Sequence, residues 1–179
     1  MEFFLRLSQA IDWVNSRLAK VANLLVLLAC LVSAGNASMR YAFSMSSNAW
    51  LEIQWYMFAA IVLLGTSYTL KANEHVRVDL FYGMLSDRGR LWVDIVGITV
   101  FLLPATALFA YLSWPLFKIS WDLQEVSSNA GGLIRWPVKL VIPAGFALLT
   151  LQGLSELIKR IAMLRGVYDV DTRYERPVQ

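Results

Sequence analysis

Apolar residues in this chain are gathered into four stretches, each about as long as a helix that crosses a bilayer. They run from Leu18 to Tyr41, Trp50 to Leu70, Leu91 to Trp114 and Trp136 to Ile158. About 20 residues, rising 1.5 Å each, cover a hydrocarbon core about 30 Å thick. No water reaches an unpaired backbone amide there, and a helix satisfies such groups within a single segment. The expected fold is therefore an all-α integral membrane protein with four transmembrane helices at about 18–41, 50–70, 91–114 and 136–158. These make one domain over 1–165, followed by a polar cytoplasmic tail over 166–179.

Charge is scarce and unevenly placed. Charged residues make up 16% of the chain, against about 25% in soluble domains. Of the 16 Lys and Arg residues, twelve fall before span one, between spans two and three, or after span four. Only Arg40, Lys118, Arg135 and Lys139 fall on the other side. Basic residues collect in cytoplasmic loops, so both termini are expected in the cytoplasm. The net charge of +3 is spread along these loops and tails, which argues against a nucleic-acid surface.

The region around span one permits other readings. Its basic approach, apolar run and small residues Ser33 to Ser38 resemble a cleavable signal peptide. The long leading segment and the charge count favour a retained span. Within 2–16, Phe3, Phe4, Leu7, Ile11 and Val14 recur at helical spacing, with Arg6, Gln9, Asp12 and Asn15 elsewhere on the wheel. This predicts a short amphipathic helix in the inner interface; the alternative is span one continuing into the cytoplasm. A second interfacial helix is expected from Val76, Leu80, Phe81, Met84 and Leu85. Asn23, Ser33, Gly35, Asn36 and Ser38 give span one a small, polar side suited to protein contact. Cys30, the single cysteine, excludes a disulfide framework and reads as a small packing residue.

Span two opens with Trp50-Leu51-Glu52-Ile53-Gln54-Trp55-Tyr56, an aromatic interface belt with a carboxylate that needs a partner or the headgroups. Pro104 should kink span three by removing a backbone hydrogen bond. The outer loop carries Ser127-Ser128-Asn129-Ala130-Gly131-Gly132, a flexible turn signal. Span four begins Trp136-Pro137-Val138-Lys139, with Pro137 suited to a first turn and Lys139 able to snorkel outward.

Residues for chemistry are few. A membrane haem needs axial ligands on facing helices, whereas the one histidine, His75, lies in a loop. No cluster has metal-ligand spacing, and no nucleophile–base set or phosphate loop is present, so neither a cofactor nor an enzymatic activity is expected. Glu52, Asp94, Lys139 and Glu156 all fall within about two turns of a span end. An ion-coupled carrier places such groups near mid-membrane. The chain therefore reads as a subunit that holds something else. A small homo-oligomeric ion-coupled exporter and a haem or quinone anchor are the competing readings.

Several motifs carry a family likeness. They are Ser46-Ser47-Asn48-Ala49-Trp50-Leu51-Glu52-Ile53-Gln54-Trp55-Tyr56; Tyr68-Thr69-Leu70-Lys71 with Glu74-His75-Val76-Arg77-Val78-Asp79; Gly131-Gly132-Leu133-Ile134-Arg135-Trp136-Pro137-Val138-Lys139; and Ile142-Pro143-Ala144-Gly145-Phe146. In these, and over nearly the whole chain short of its C-terminal tail, it resembles the small membrane subunit (DctQ type) of tripartite ATP-independent periplasmic (TRAP) transporters. The likeness is nearest to the mannitol/chloroaromatic or 2-oxo acid branch. The resemblance implies a bacterial inner-membrane, multi-pass protein in a sodium-driven importer of organic acids. Its implied partners are a large membrane subunit, which carries the sodium and substrate sites and moves as an elevator, a periplasmic binding protein, and membrane lipid. The small subunit would brace the large one without binding substrate, with a part in docking the binding protein among the implied roles. By position, Glu52, Gln54, Trp55, Trp136 and Lys139 become outer-side candidates for partner or lipid contact. Glu74, Arg77 and Asp79 become candidates on the cytoplasmic arm.

Overall fold

A computed structural model describes residues 1–45, 47–74 and 84–168. It consists of four long helices: α1 (Glu2–Phe43), α2 (Asn48–Ala72), α3 (Asp87–Asp122) and α4 (Trp136–Leu164). Each is long and apolar enough to cross a membrane, and each encloses one of the four apolar stretches. α4 is the hub, packing against each of the other three, while α1 and α2 form the second main pair.

At the start of the chain the structure takes the second of the two readings. No separate interfacial helix forms over 2–16; α1 is one unbroken helix of 42 residues. At 1.5 Å per residue it is about 63 Å long, roughly twice the hydrocarbon thickness. Its orientation also differs from that of a helix lying on a membrane surface. Phe3, 74% exposed, Phe4, Leu7 and Trp13 point away from the bundle, while Ser8 and Asn15 are 2% and 0% exposed against α4. The polar stripe turns inward because α4 offers it hydrogen-bonding partners. Most of the other expected interfacial helix, together with the 169–179 part of the tail, falls outside the described residues.

Small residues make the helix contacts. Ala19, Ala22 and Ala29 are buried on α1 and Ser67 on α2, while large side chains such as Leu24, Leu31, Val62 and Phe101 lie on the outside. Lipid tails are as apolar as leucine, so helices associate by close approach rather than by hiding bulky groups. Cys30, expected to fill space between helices, is instead exposed. Asn23, Gly35 and Ser38 are likewise exposed.

Pro104 acts through a wider turn. The backbone runs as a π-helix from Gly97 to Leu102, closed by Leu103 N–H donating to the Ile98 carbonyl, and Pro104 enters the first turn of the α-helical continuation. A π turn admits one extra residue and shifts the hydrogen-bond ladder where proline lacks a donor. The Thr106 hydroxyl donates to the Leu102 carbonyl at 2.8 Å and receives a bond from Thr150 of α4 at 2.9 Å.

The helices α2 and α4 approach closely at Gly145, where an added Cβ would stand 2.7 Å from Leu63 Cβ and 3.1 Å from the Leu63 carbonyl oxygen. Gly35 of α1 has open space around the same position. Gly145→Leu is expected to cost about 1–3 kcal/mol through overpacking, read as a fall in unfolding midpoint in detergent. Gly35→Leu should leave that midpoint essentially unchanged.

Candidate functional site

Two polar clusters hold opposite ends of the bundle. At the end where α2 and α4 begin, Asn48, Glu52 and Tyr56 recur every four residues on one face of α2. All three meet the segment between α3 and α4. Asn48 Nδ2 donates to the Ala130 carbonyl at 3.3 Å and Tyr56 hydroxyl to the Ile134 carbonyl at 3.1 Å. Glu52, 4% exposed, receives the Ser127 hydroxyl and, at 2.8 Å, Asn129 Nδ2 on one oxygen. Its other oxygen receives the Leu133 backbone N–H at 2.7 Å.

That segment is thereby folded, although Ser127 to Gly132 reads as a flexible turn. It is a narrow antiparallel hairpin: Ser127 N–H donates to the Leu133 carbonyl at 3.0 Å and Arg135 N–H to the Glu125 carbonyl at 2.8 Å. Gly131 supplies a left-handed φ of 70°, and a side chain at Gly132 would collide with Ser127 and the Asn129 carbonyl. These two glycines let the tip close around the Glu52 carboxylate. Glu125 pairs with Lys139 and stands 3.7 Å from Arg135. The Lys139 hydrogen bond holds the Glu125 carboxyl below the usual carboxylate range, which keeps it charged at neutral pH. Trp121 and Trp136 meet edge to face, with ring centroids 4.5 Å apart.

The expected contact residues therefore divide. Glu52 and Lys139 are engaged by this chain's own hairpin, and Trp136 is half-buried against Trp121. Trp55 is exposed, 62% of its surface being free. Gln54 is half-buried, and its Nε2 is enclosed without an acceptor. Glu74 is exposed just beyond the end of α2. Arg77 and Asp79 lie outside the described residues.

The second cluster, at the opposite end, joins α1, α3 and α4. Gln152, fully buried, accepts from Asn15 Nδ2 at 2.7 Å. It donates to Asp12 at 2.8 Å and to Glu156 at 3.0 Å. Ser155 donates to the same Asp12 oxygen at 2.8 Å, and its hydroxyl lies 2.7 Å from that of Ser8. Lys159 bridges Asp12, at 3.1 Å, and Glu156. Arg160 pairs with Glu156 and, through Nε at 2.9 Å, with Asp94 of α3. From α2, Lys71 donates to Ser16 at 2.6 Å.

Neither the pairing nor the burial of this cluster is anticipated by reading Asp94 and Glu156 as charges near span ends. The available signal was spacing: 152, 155, 156, 159 and 160 form one helical stripe, and 8, 12 and 15 another. Two polar stripes of matched length on helices destined for lipid can be satisfied by each other.

With the geometry established, comparison with known proteins gives one assignment. The model of the family described as tripartite ATP-independent periplasmic transporters, DctQ component, matches residues 29–163. The chain belongs to the DctQ family. It is thus a TRAP transporter small subunit, in a family of transporter components rather than enzymes, whose members associate with a large membrane subunit and a periplasmic binding protein. No curated protein and no solved structure matches the chain. Among the described residues, no group of three or more His, Cys, Asp or Glu is placed to hold a metal ion.

The two clusters predict different failures. Glu52→Ala removes the acceptor of three donors, so amide exchange across 127–133 should quicken by an order of magnitude or more, with α1–α4 packing little changed. Arg160→Met removes the guanidinium that Asp94 and Glu156 share and is expected to cost roughly 3–5 kcal/mol, seen as global destabilisation in detergent. A triple Asp94→Leu, Glu156→Leu, Arg160→Met variant should recover much of that loss.

Proposed function

We propose that this DctQ-family chain is the bracing subunit of a sodium-coupled importer of organic acids in the bacterial inner membrane. It stabilises the large, moving subunit and binds no substrate. The observation that carries this reading is the use to which its buried charges are put. Asp12, Asp94, Glu156, Lys159 and Arg160 are ion-paired with one another across three helices, and Glu52 is saturated by the hairpin. Groups bound this way resist rearrangement, which suits a fixed platform and not a site that must load and release cargo.

Both ends being fastened, the exposed apolar flanks are free to meet a larger membrane partner. The mannitol/chloroaromatic or 2-oxo acid likeness makes 2-oxo and hydroxy acids the first substrates to try. The charge distribution supports cytoplasmic termini, which would place the hairpin on the periplasmic side, within reach of a binding protein.

Co-expression with the cognate large subunit should yield a heterodimer that survives gentle detergent extraction. Uptake in proteoliposomes should require both membrane subunits, the binding protein and an inward sodium gradient. Separate migration of the two membrane chains, or gradient-driven uptake by this chain alone, would overturn the proposal.

A further inference from the structure

Between α1 and α2, at the hairpin end of the bundle, lies an open cleft of about 490 Å³ lined by Ser33, Asn36, Ala37, Arg40, Tyr41, Leu51 and Gln54. Arg40 is a cation with no carboxylate partner among the described residues, and no acidic residue lines the cleft. Gln54 contributes an enclosed amide donor that no acceptor reaches. The Glu52 carboxylate, two residues away, faces the hairpin and does not supply that acceptor.

Depth and shape distinguish among anionic occupants. Tyr41, Phe43, Trp50 and Trp55, all exposed, ring this end of α1 and α2 at the level where aromatic side chains meet headgroups. A second cleft, of about 350 Å³, lies between the same helices, with Ala22, Val62, Gly65, Thr66 and Thr69 in its lining. Ala22 and Ser33 are eleven residues apart, as are Leu51 and Val62, and Gln54 and Gly65. Eleven residues complete just over three helical turns, which places each pair on one side of its helix about 16 Å apart. That separation is about half the hydrocarbon core, the depth of one leaflet. A donor-rich notch at headgroup level thus stands one leaflet above a second hollow on the same face. Thr66 and Thr69 spend their hydroxyls on Val62 and Gly65 carbonyls, leaving the lower hollow less polar than its residue names imply.

We propose that this α1–α2 face binds one anionic phospholipid, its phosphodiester held by Arg40 beside Gln54 and an acyl chain directed toward the lower hollow. An anionic headgroup is preferred to a zwitterionic choline one because Arg40, the one charged group lining the notch, attracts net negative charge and repels a quaternary ammonium. Lipid binding here is independent of how transport is driven, so its test stands apart from that of the bracing role.

The full chain in detergent is titrated with phosphatidylglycerol and with phosphatidylcholine of equal acyl length, and bound lipid is counted by native mass spectrometry. One phosphatidylglycerol is expected to bind in preference to phosphatidylcholine. Arg40→Gln should weaken it about tenfold, the loss of one charge-assisted hydrogen bond. Gln54→Glu, equal in size but anionic, should weaken it at least as much. Lys118→Gln, which removes an exposed cation at the same end, should have no effect. Circular dichroism melting of each variant separates lost binding from lost fold, and both cleft substitutions are expected to melt like the parent. Three results would overturn the proposal. One is undiminished phosphatidylglycerol binding in Arg40→Gln and Gln54→Glu. Another is displacement of the lipid by equimolar inorganic phosphate, which would make this a free-anion site. The last is exclusion of lipid from the cleft once the large membrane subunit is bound, which would make it a protein contact.

Discussion

A guanidinium enclosed in a lipid-embedded bundle is tolerated only while carboxylates and hydrogen-bond acceptors surround it. Arg160 meets that condition from two directions, its own helix supplying Glu156 and α3 supplying Asp94. Lys159 and Gln152 extend the arrangement to Asp12 and Asn15 on α1. The direction in which α1 faces follows from this. Its serine, aspartate and asparagine stripe turns to α4, and the phenylalanines and tryptophan are left outside. The mutual attraction of such groups does not guarantee stability over an apolar alternative. It does fix which faces meet and in what register, because a shift of one helical turn would leave several charges without partners.

The other end relies on a single acceptor. Glu52 binds three donors from a hairpin that has almost no apolar core of its own, so the shape of the hairpin depends on one helix face. Asn48 and Tyr56, one turn to either side, extend that contact into a line along α2. The bundle is therefore fastened at each end by electrostatics and joined between by small residues such as Gly145 and Ala22. This division suits a membrane, where the apolar surround gives helices no reason to bury leucine.

Much of this was readable in the order of residues, because hydrocarbon thickness imposes a length rule that ignores tertiary detail. The four spanning helices and the need of Glu52 for a partner follow from that rule. The partner itself does not follow, since Ser127 and Asn129 stand 75 and 77 residues away and no local pattern connects them. Residues 2–16 leave two readings open for a definite reason. Helical periodicity reveals that a helix has two faces, but whether the polar one meets water or another helix depends on what lies opposite. Pro104 marked the position of an irregularity correctly; whether it appears as a sharp bend or a widened turn is decided by the neighbouring Gly97–Leu102 backbone. Gly35 and Gly145 look alike in the sequence, yet only the second sits where two backbones nearly touch.

The separation of Ser8 from Ser155 by 147 residues has a bearing on biogenesis. Asp12 and Asn15 leave the ribosome long before Gln152 and Lys159 exist, so the first helix enters the membrane with its polar stripe unmatched. Until the last helix arrives, that stripe must rest among headgroups, at the translocation channel or with a chaperone. Closure of that end is therefore a final step of assembly, and a nascent chain halted before its fourth helix would expose an unsatisfied surface that quality control can recognise.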